Sequence, residues 1–370
     1  SAPSIPNLLS LRGAGRGRGR GRGDRSDLSG PETRPSHDAT IQGTDTDAAV
    51  SRLSAVELSY LADPFAQLFV QGPPTRRLPI INRGTYTRTT AIDMLVDRFL
   101  ATTNPDEPRQ IVSLGAGTDT RCLRLFTSPA STHRNIIYHE IDFPAIMARK
   151  QAIISSTPSL RALLTTPTPI AQTAWQCHSL TGGSSSSNNT LTLHGQDLRT
   201  LTPSSPALPG YHPTAPTLLL SECCLCYLEP STAASLLTHF TTSHPPSSTP
   251  TPTSTPPPAV GLIIYEPISP HDAFGRTMVS NLAARGIRMP TLEAYPTPAD
   301  QERRLRAAGF DEARCRTVDA IWEGWVGEGE KERVDLLEGG LDEVEEWRLL
   351  AGHYVVVWGW RGGGGMDLDV

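Results

Sequence analysis

The sequence predicts an α/β fold built on a mostly parallel sheet. Two observations carry this. Short apolar runs alternate with longer helical stretches, the pattern of βαβ units. Glycines also follow the first apolar run directly, as at a tight strand-to-helix turn. The strands are expected in order at 110–114, 136–141, 190–194, 217–221, 261–265, 314–320 and 353–358, seven in all. Helices are expected at 48–60, 89–101, 143–154, 230–241, 273–285, 298–308 and 340–350. They suit the two faces of the sheet, because parallel strands connect through crossovers that cover it.

Composition limits what surrounds this core. Gly (31) and Pro (33) make up about 17% of 370 residues, with Pro well above ordinary usage. A single globular domain carrying low-complexity extras is expected. Residues 1–45 are rich in Gly, Arg, Ser and Asp, lack apolar periodicity and are expected to be a disordered tail. The globular domain is then 46–361. Loop insertions fall at the Gly/Ser/Asn run near 181–189 and the Ser/Thr/Pro run near 241–258, and a flexible tail at 362–370. No apolar stretch reaches the length of a membrane span, and residues 1–11 do not read as a secretory signal. The six cysteines are too few and too unevenly placed for a disulfide framework, so reduced thiols are expected.

Net charge is −5. The Arg/Gly run between Arg12 and Arg25 carries about +5, leaving the remainder near −10. An acidic body argues against a nucleic-acid grip there. Weak RNA binding or arginine methylation is confined to the tail, where a merely solvated segment is the preferred reading.

Four positions at the ends of consecutive strands point to a nucleotide-like ligand. The segment Leu114-Gly115-Ala116-Gly117 lets backbone pass close to a ligand. The second strand ends at Asp142, suited to a ribose diol. A dinucleotide site would want a third glycine where Thr120 stands. Its absence favours an adenosine ligand without pyrophosphate, such as S-adenosylmethionine. Asp197, followed by Leu198, suits the adenine edge. A helix N-cap is its plainer role, one that nearby Pro203 weakens. The fourth strand runs to Glu222, placed to meet a cationic part of the ligand. Cys223, Cys224 and Cys226 lack a second Cys-x-x-Cys pair and a His at finger spacing. They read as buried apolar thiols, and no metal site is expected.

Ile81-Asn82-Arg83-Gly84 through Arg88, Val112 through Arg121, Glu140 through Pro144, Asp197-Leu198-Arg199, Ser221 through Pro230 and Tyr265 through Gly275 occur in one order. In combination they resemble the leucine carboxyl methyltransferase family, in a fungal-type form with low-complexity insertions. The resemblance spans about 45–360 and implies an S-adenosylmethionine-dependent methyltransferase (Rossmann-like) fold with added helical substrate-site elements. It implies methylation of the C-terminal leucine carboxylate of the protein phosphatase 2A catalytic subunit. It also implies that Gly115 lies under the methionine part, Asp142 on the ribose, and Asp197 with Leu198 at the adenine. Glu222 would lie near the sulfonium end, Arg88 on the methionine carboxylate and Tyr227 near the substrate channel. Arg52 stands where the family carries lysine, keeping charge but not geometry. The partner implied is the phosphatase tail together with its active-site face. A monomer in the cytoplasm, and also the nucleus, is expected.

The chemistry agrees. A C-terminal carboxylate ionises near pH 3.5, so it is already a nucleophile at neutral pH and no general base is required. It must be held in line with the methyl carbon and stripped of water. A forked arginine suits it, with Arg83 and Arg276 the candidates. Rival readings are a carboxyl methyltransferase acting on a modified tRNA base, a small-molecule methyltransferase, and a scaffold that keeps only the fold. Binding of S-adenosylmethionine separates the last of these.

Overall fold

The computed structural model describes residues 36–130, 132–181, 188–242 and 258–362. The strands are β1 (Arg109–Leu114), β2 (Ile136–Asp142), β3 (Thr168–Ala171), β4 (Ala174–His178), β5 (Thr190–Gly195), β6 (Thr217–Glu222), β7 (Val260–Pro267), β8 (Glu312–Thr317) and β9 (Tyr354–Arg361). The helices are α1 (His37–Glu57), α2 (Pro79–Thr102), α3 (Arg121–Thr127), α4 (Pro144–Ser156), α5 (Pro158–Arg161), α6 (Pro230–Thr242), α7 (Ala273–Ala284), α8 (Pro290–Ala294), α9 (Pro298–Ala307), α10 (Val318–Gly324), α11 (Glu328–Asp335) and α12 (Val344–Gly352).

The strands form one sheet in the order β3-β4-β5-β2-β1-β6-β7-β9-β8. Strands β5, β2, β1, β6 and β7 are parallel, and β9 enters antiparallel between β7 and β8. Both faces of the central strands are buried. Ile111, Tyr138, Leu218, Leu220, Ile263 and Tyr265 share one cluster with α2, α3, α4, α10 and α12. Their neighbours Val112, Leu114, Leu219, Leu262 and Ile264 share the other with α6 and α9. Period-two alternation with apolar residues on both sides explains why these strands read as unbroken apolar runs.

The chain leaves β1 toward β2 and β5 on one side and later toward β6 and β7 on the other. The crevice outside the carboxyl ends lies where this order reverses. Register sharpens the point. Leu114 pairs with Ile141 on one side and Ser221 on the other, and Asp142 pairs with Gly195. Gly115, Asp142 and Glu222 therefore emerge at one level on adjacent strands, with Asp197 just beyond.

The expected class holds, with corrections. The sheet has nine strands among the described residues, because β3 and β4 form a hairpin on the β5 edge. Strand β3 is short, exposed along its length and contains Pro169, which an edge strand tolerates. Residues 318–320, expected as strand, begin α10. The tail boundary moves from 45 to 36: Ser36 caps α1 by accepting from the Ala39 N–H, and α1 packs on α2. The polar sequence of 37–47 hides this helix, because its inner face meets the ligand crevice more than apolar core. The rest of the tail, 1–35, lies outside the described residues. So do 182–187, 243–257 and 363–370, which take in most of both insertions and nearly all of the expected C-terminal tail.

Candidate active site

The glycine turn shows why its residues are glycines. Gly115 and Gly117 have φ of +66° and +51°, in the left-handed region. A Cβ on Gly115 would lie 2.5 Å from Cys224 Sγ, and one on Gly117 would strike the Asp45 carboxylate. The N–H groups of Gly115 and Ala116 both donate to the Ile141 carbonyl, at 2.9 and 3.2 Å. The turn is thus tied to the end of β2.

Asp142 faces this turn. Its carboxylate accepts the N–H groups of Gly117 (2.8 Å) and Phe143 (2.7 Å). Burial pushes its pKa up to about 6 against those two bonds. Helix α1 closes the crevice from above. Asp45 Oδ1 accepts from both the backbone N–H and the hydroxyl of Thr118, at 2.7 and 2.8 Å, and Oδ2 pairs with Arg149. At the start of α1, Asp38 receives both Nη groups of Arg199, at 2.9 and 2.7 Å. Arg199 also grips Asp197. Asp197 does cap a helix, the single 3-10 turn Leu198–Thr200, by accepting from the Arg199 N–H. A cap needs only that one turn, so Pro203 does not prevent it.

Deeper lies a cluster of charge. Arg121 donates to Asp93 (2.8 Å), Asp119 (2.7 Å) and Glu222 (2.6 Å). Arg52 lies 3.3 Å from Asp119 and 3.6 Å from Asp63, and Arg88 lies 3.6 Å from Glu222. Burial alone would raise the Asp119 carboxyl, but Arg121 and Arg52 hold it well below the usual range. Arg52 Nη1 and Arg88 Nε are buried without a hydrogen-bond acceptor among the described residues. Both residues line the cavity, so these N–H groups are available to an anionic ligand there.

Of the nine expected site residues, eight line one cavity: Arg52, Arg88, Gly115, Asp142, Asp197, Leu198, Glu222 and Tyr227. Arg83 is the one that does not line it. It packs over the rings of Trp322 (4.7 Å) and Trp347 (5.6 Å) and pairs with Asp335, away from this cavity. Arg83 and Arg88 are five residues apart on α2, roughly 140° around a helix, so they serve different faces. Arg276, in the first turn of α7, is exposed and donates to the His271 carbonyl just before that helix. Tyr227 follows Cys223, whose φ is +48°, and Thr44 of α1 faces its buried hydroxyl. No group of three His, Cys, Asp or Glu among the described residues is arranged to hold a metal ion.

The sequence reasoning missed the inner face of α1 and gave no role to Asp45, Asp119 or Arg121. A trace was present. Asp38, Ile41, Asp45, Ala48 and Arg52 recur at three- and four-residue spacing, one face of a helix, and all line the cavity.

The cavity's donor set fits S-adenosylmethionine: the Asp142 carboxylate could take a diol, arginine N–H groups an amino-acid carboxylate, and the Glu222 acid a cation. Comparison with known proteins agrees with this chemistry. Residues 41–241 match the pattern of the family described as leucine carboxyl methyltransferase. The chain is 49% identical to leucine carboxyl methyltransferase 1 of Aspergillus fumigatus, over 100% of this chain and 96% of that protein. It is 48% identical to that of Emericella nidulans, over 100% and 98%. It is 40% identical to that of Yarrowia lipolytica, over 87% and 97%.

Proposed function

Because the chain belongs to the leucine carboxyl methyltransferase family, an enzyme family, we propose that it methylates the C-terminal leucine α-carboxylate of the protein phosphatase 2A catalytic subunit with S-adenosylmethionine. The convergence of Gly115, Asp142, Asp197, Glu222, Arg52 and Arg88 on one cavity carries this reading.

Asp142 would accept the ribose hydroxyls, and Asp197 with Leu198 would hold the adenine. Arg52 and Arg88 would take the amino-acid carboxylate through the N–H groups that lack acceptors. Glu222 would balance the cationic side. When bound, S-adenosylmethionine supplies an electrophilic methyl group on sulfur. Gly115 carries no side chain, which leaves the turn open beside Cys224. Ile41, Ala48, Ile146, Leu198 and Leu228 line the cavity with apolar surface that excludes water. Tyr227 forms the wall where the acceptor carboxylate would arrive. That carboxylate is ionised at neutral pH and needs no base from the protein. The chain's task is to orient and desolvate it.

The test uses S-adenosylmethionine carrying a tritiated methyl group and phosphatase 2A core enzyme with and without its terminal leucine. Base-labile label only when the leucine is present supports the reading. Equal labelling of both, or of neither, refutes this substrate assignment.

A further inference from the structure

Arg121 is the first residue of α3 and is 1% exposed, yet it does not line the cavity. It joins carboxylates from three separate elements: Asp93 on α2, Asp119 in the glycine turn and Glu222 at the end of β6. Two of these, Asp119 and Glu222, do line the cavity. The cavity's arginines stand beside the same two acids, Arg52 at 3.3 Å from Asp119 and Arg88 at 3.6 Å from Glu222.

We propose that Arg121 is a positioning residue for the amino-acid end of the cofactor, acting through Glu222 and Asp119. The proposal rests on the S-adenosylmethionine reading above. The physical reason is competition for charge. Arg121 Nη1 holds Glu222 Oε1 at 2.6 Å and Asp119 Oδ2 at 2.7 Å from behind. Their inner oxygens are thereby neutralised and their orientations fixed. Without Arg121, the two acids would draw more strongly on Arg52 and Arg88, the cavity arginines already beside them. Those arginines would then be withdrawn from the ligand carboxylate, and Glu222 would turn away from the ligand ammonium. The adenosine end is held by Asp142, Asp197 and Leu198, none of which touches Arg121, so it should be spared.

Calorimetric binding of two ligands tests this. S-adenosylhomocysteine carries the amino-acid end; 5′-methylthioadenosine keeps the adenosine and thioether but lacks it. Arg121→Gln should weaken S-adenosylhomocysteine binding at least tenfold and 5′-methylthioadenosine binding less than twofold. Arg121→Lys keeps charge but not the fork and should give a smaller loss of the same selectivity. It decides the matter should the Gln variant fail to fold. Parallel loss of both ligands, or unchanged S-adenosylhomocysteine affinity, overturns the positioning role. Wild-type protein that binds neither ligand overturns the cofactor reading and the proposal with it.

Discussion

Gly115→Ala tests whether the glycine turn is as tight as the structure places it. An added Cβ would lie 2.5 Å from Cys224 Sγ and 2.8 Å from Cys224 Cβ, closer than non-bonded carbons approach. Cys224 cannot retreat freely, because its carbonyl accepts the Tyr227 N–H at 3.1 Å within the turn that carries Tyr227. Two costs add. A left-handed φ of +66° costs an L-residue roughly 1–2 kcal/mol. Overpacking of this kind costs roughly 1–3 kcal/mol. The variant should therefore lose about 2–5 kcal/mol of stability, read from urea unfolding by tryptophan fluorescence. Cys224→Gly in the same chain removes the overlap and leaves the backbone cost. A double-mutant cycle should show favourable coupling of about 1–3 kcal/mol. Stability within about 0.5 kcal/mol of wild type for Gly115→Ala, or strict additivity in the cycle, refutes the geometry at that judged scale.

Other predictions follow from the same site. Arg88→Ala should weaken S-adenosylmethionine binding roughly 10- to 100-fold by losing a charge-assisted bond of about 1.5–3 kcal/mol, with an unchanged circular dichroism spectrum. Arg83→Ala should do the reverse, lowering stability by about 1–2 kcal/mol through the lost contacts with Trp322 and Trp347 while sparing cofactor affinity; a loss of cofactor affinity would refute its separation from the cavity. Burial raises the Asp142 carboxyl to about 6, above its unfolded value near 3.9. The folded state thus holds an extra proton between these values, and the associated stability, full below about pH 4, is lost as pH rises through about 6. The ribose needs the ionised form, so adenosine-ligand affinity should rise about tenfold from pH 5 to 7. Asp142→Asn should bind weakly and abolish that rise, without unfolding the domain; a pH profile identical to wild type would remove Asp142 from the ribose.

Much of the fold was legible because burial on both sheet faces writes itself into sequence. Leu218, Leu219 and Leu220 fall alternately on the two faces, and all three must be apolar. Strands that lack this pressure were invisible. Strand β3 lies exposed at an edge, and α1 begins in polar sequence because its inner face meets a ligand crevice. Eight of the nine expected site residues converge because each sits at a strand end or on a helix face that register brings to one level.

What the sequence by itself determined is the class of the sheet, the strand ends that carry Gly115, Asp142 and Glu222, and the ligand chemistry those residue types suit. The tertiary structure alone decided which arginines face that ligand. Arg83 and Arg88 are the same residue type on one helix, yet the first is taken up by Trp322, Trp347 and Asp335 and the second lines the cavity beside Glu222 with its Nε–H lacking an acceptor among the described residues. It alone brought Asp45 to Thr118 across 73 residues and Arg121 to Glu222 across 101. Charge is a property of a residue, but its partner is a property of packing, and partners distant in the chain leave no local periodicity to read.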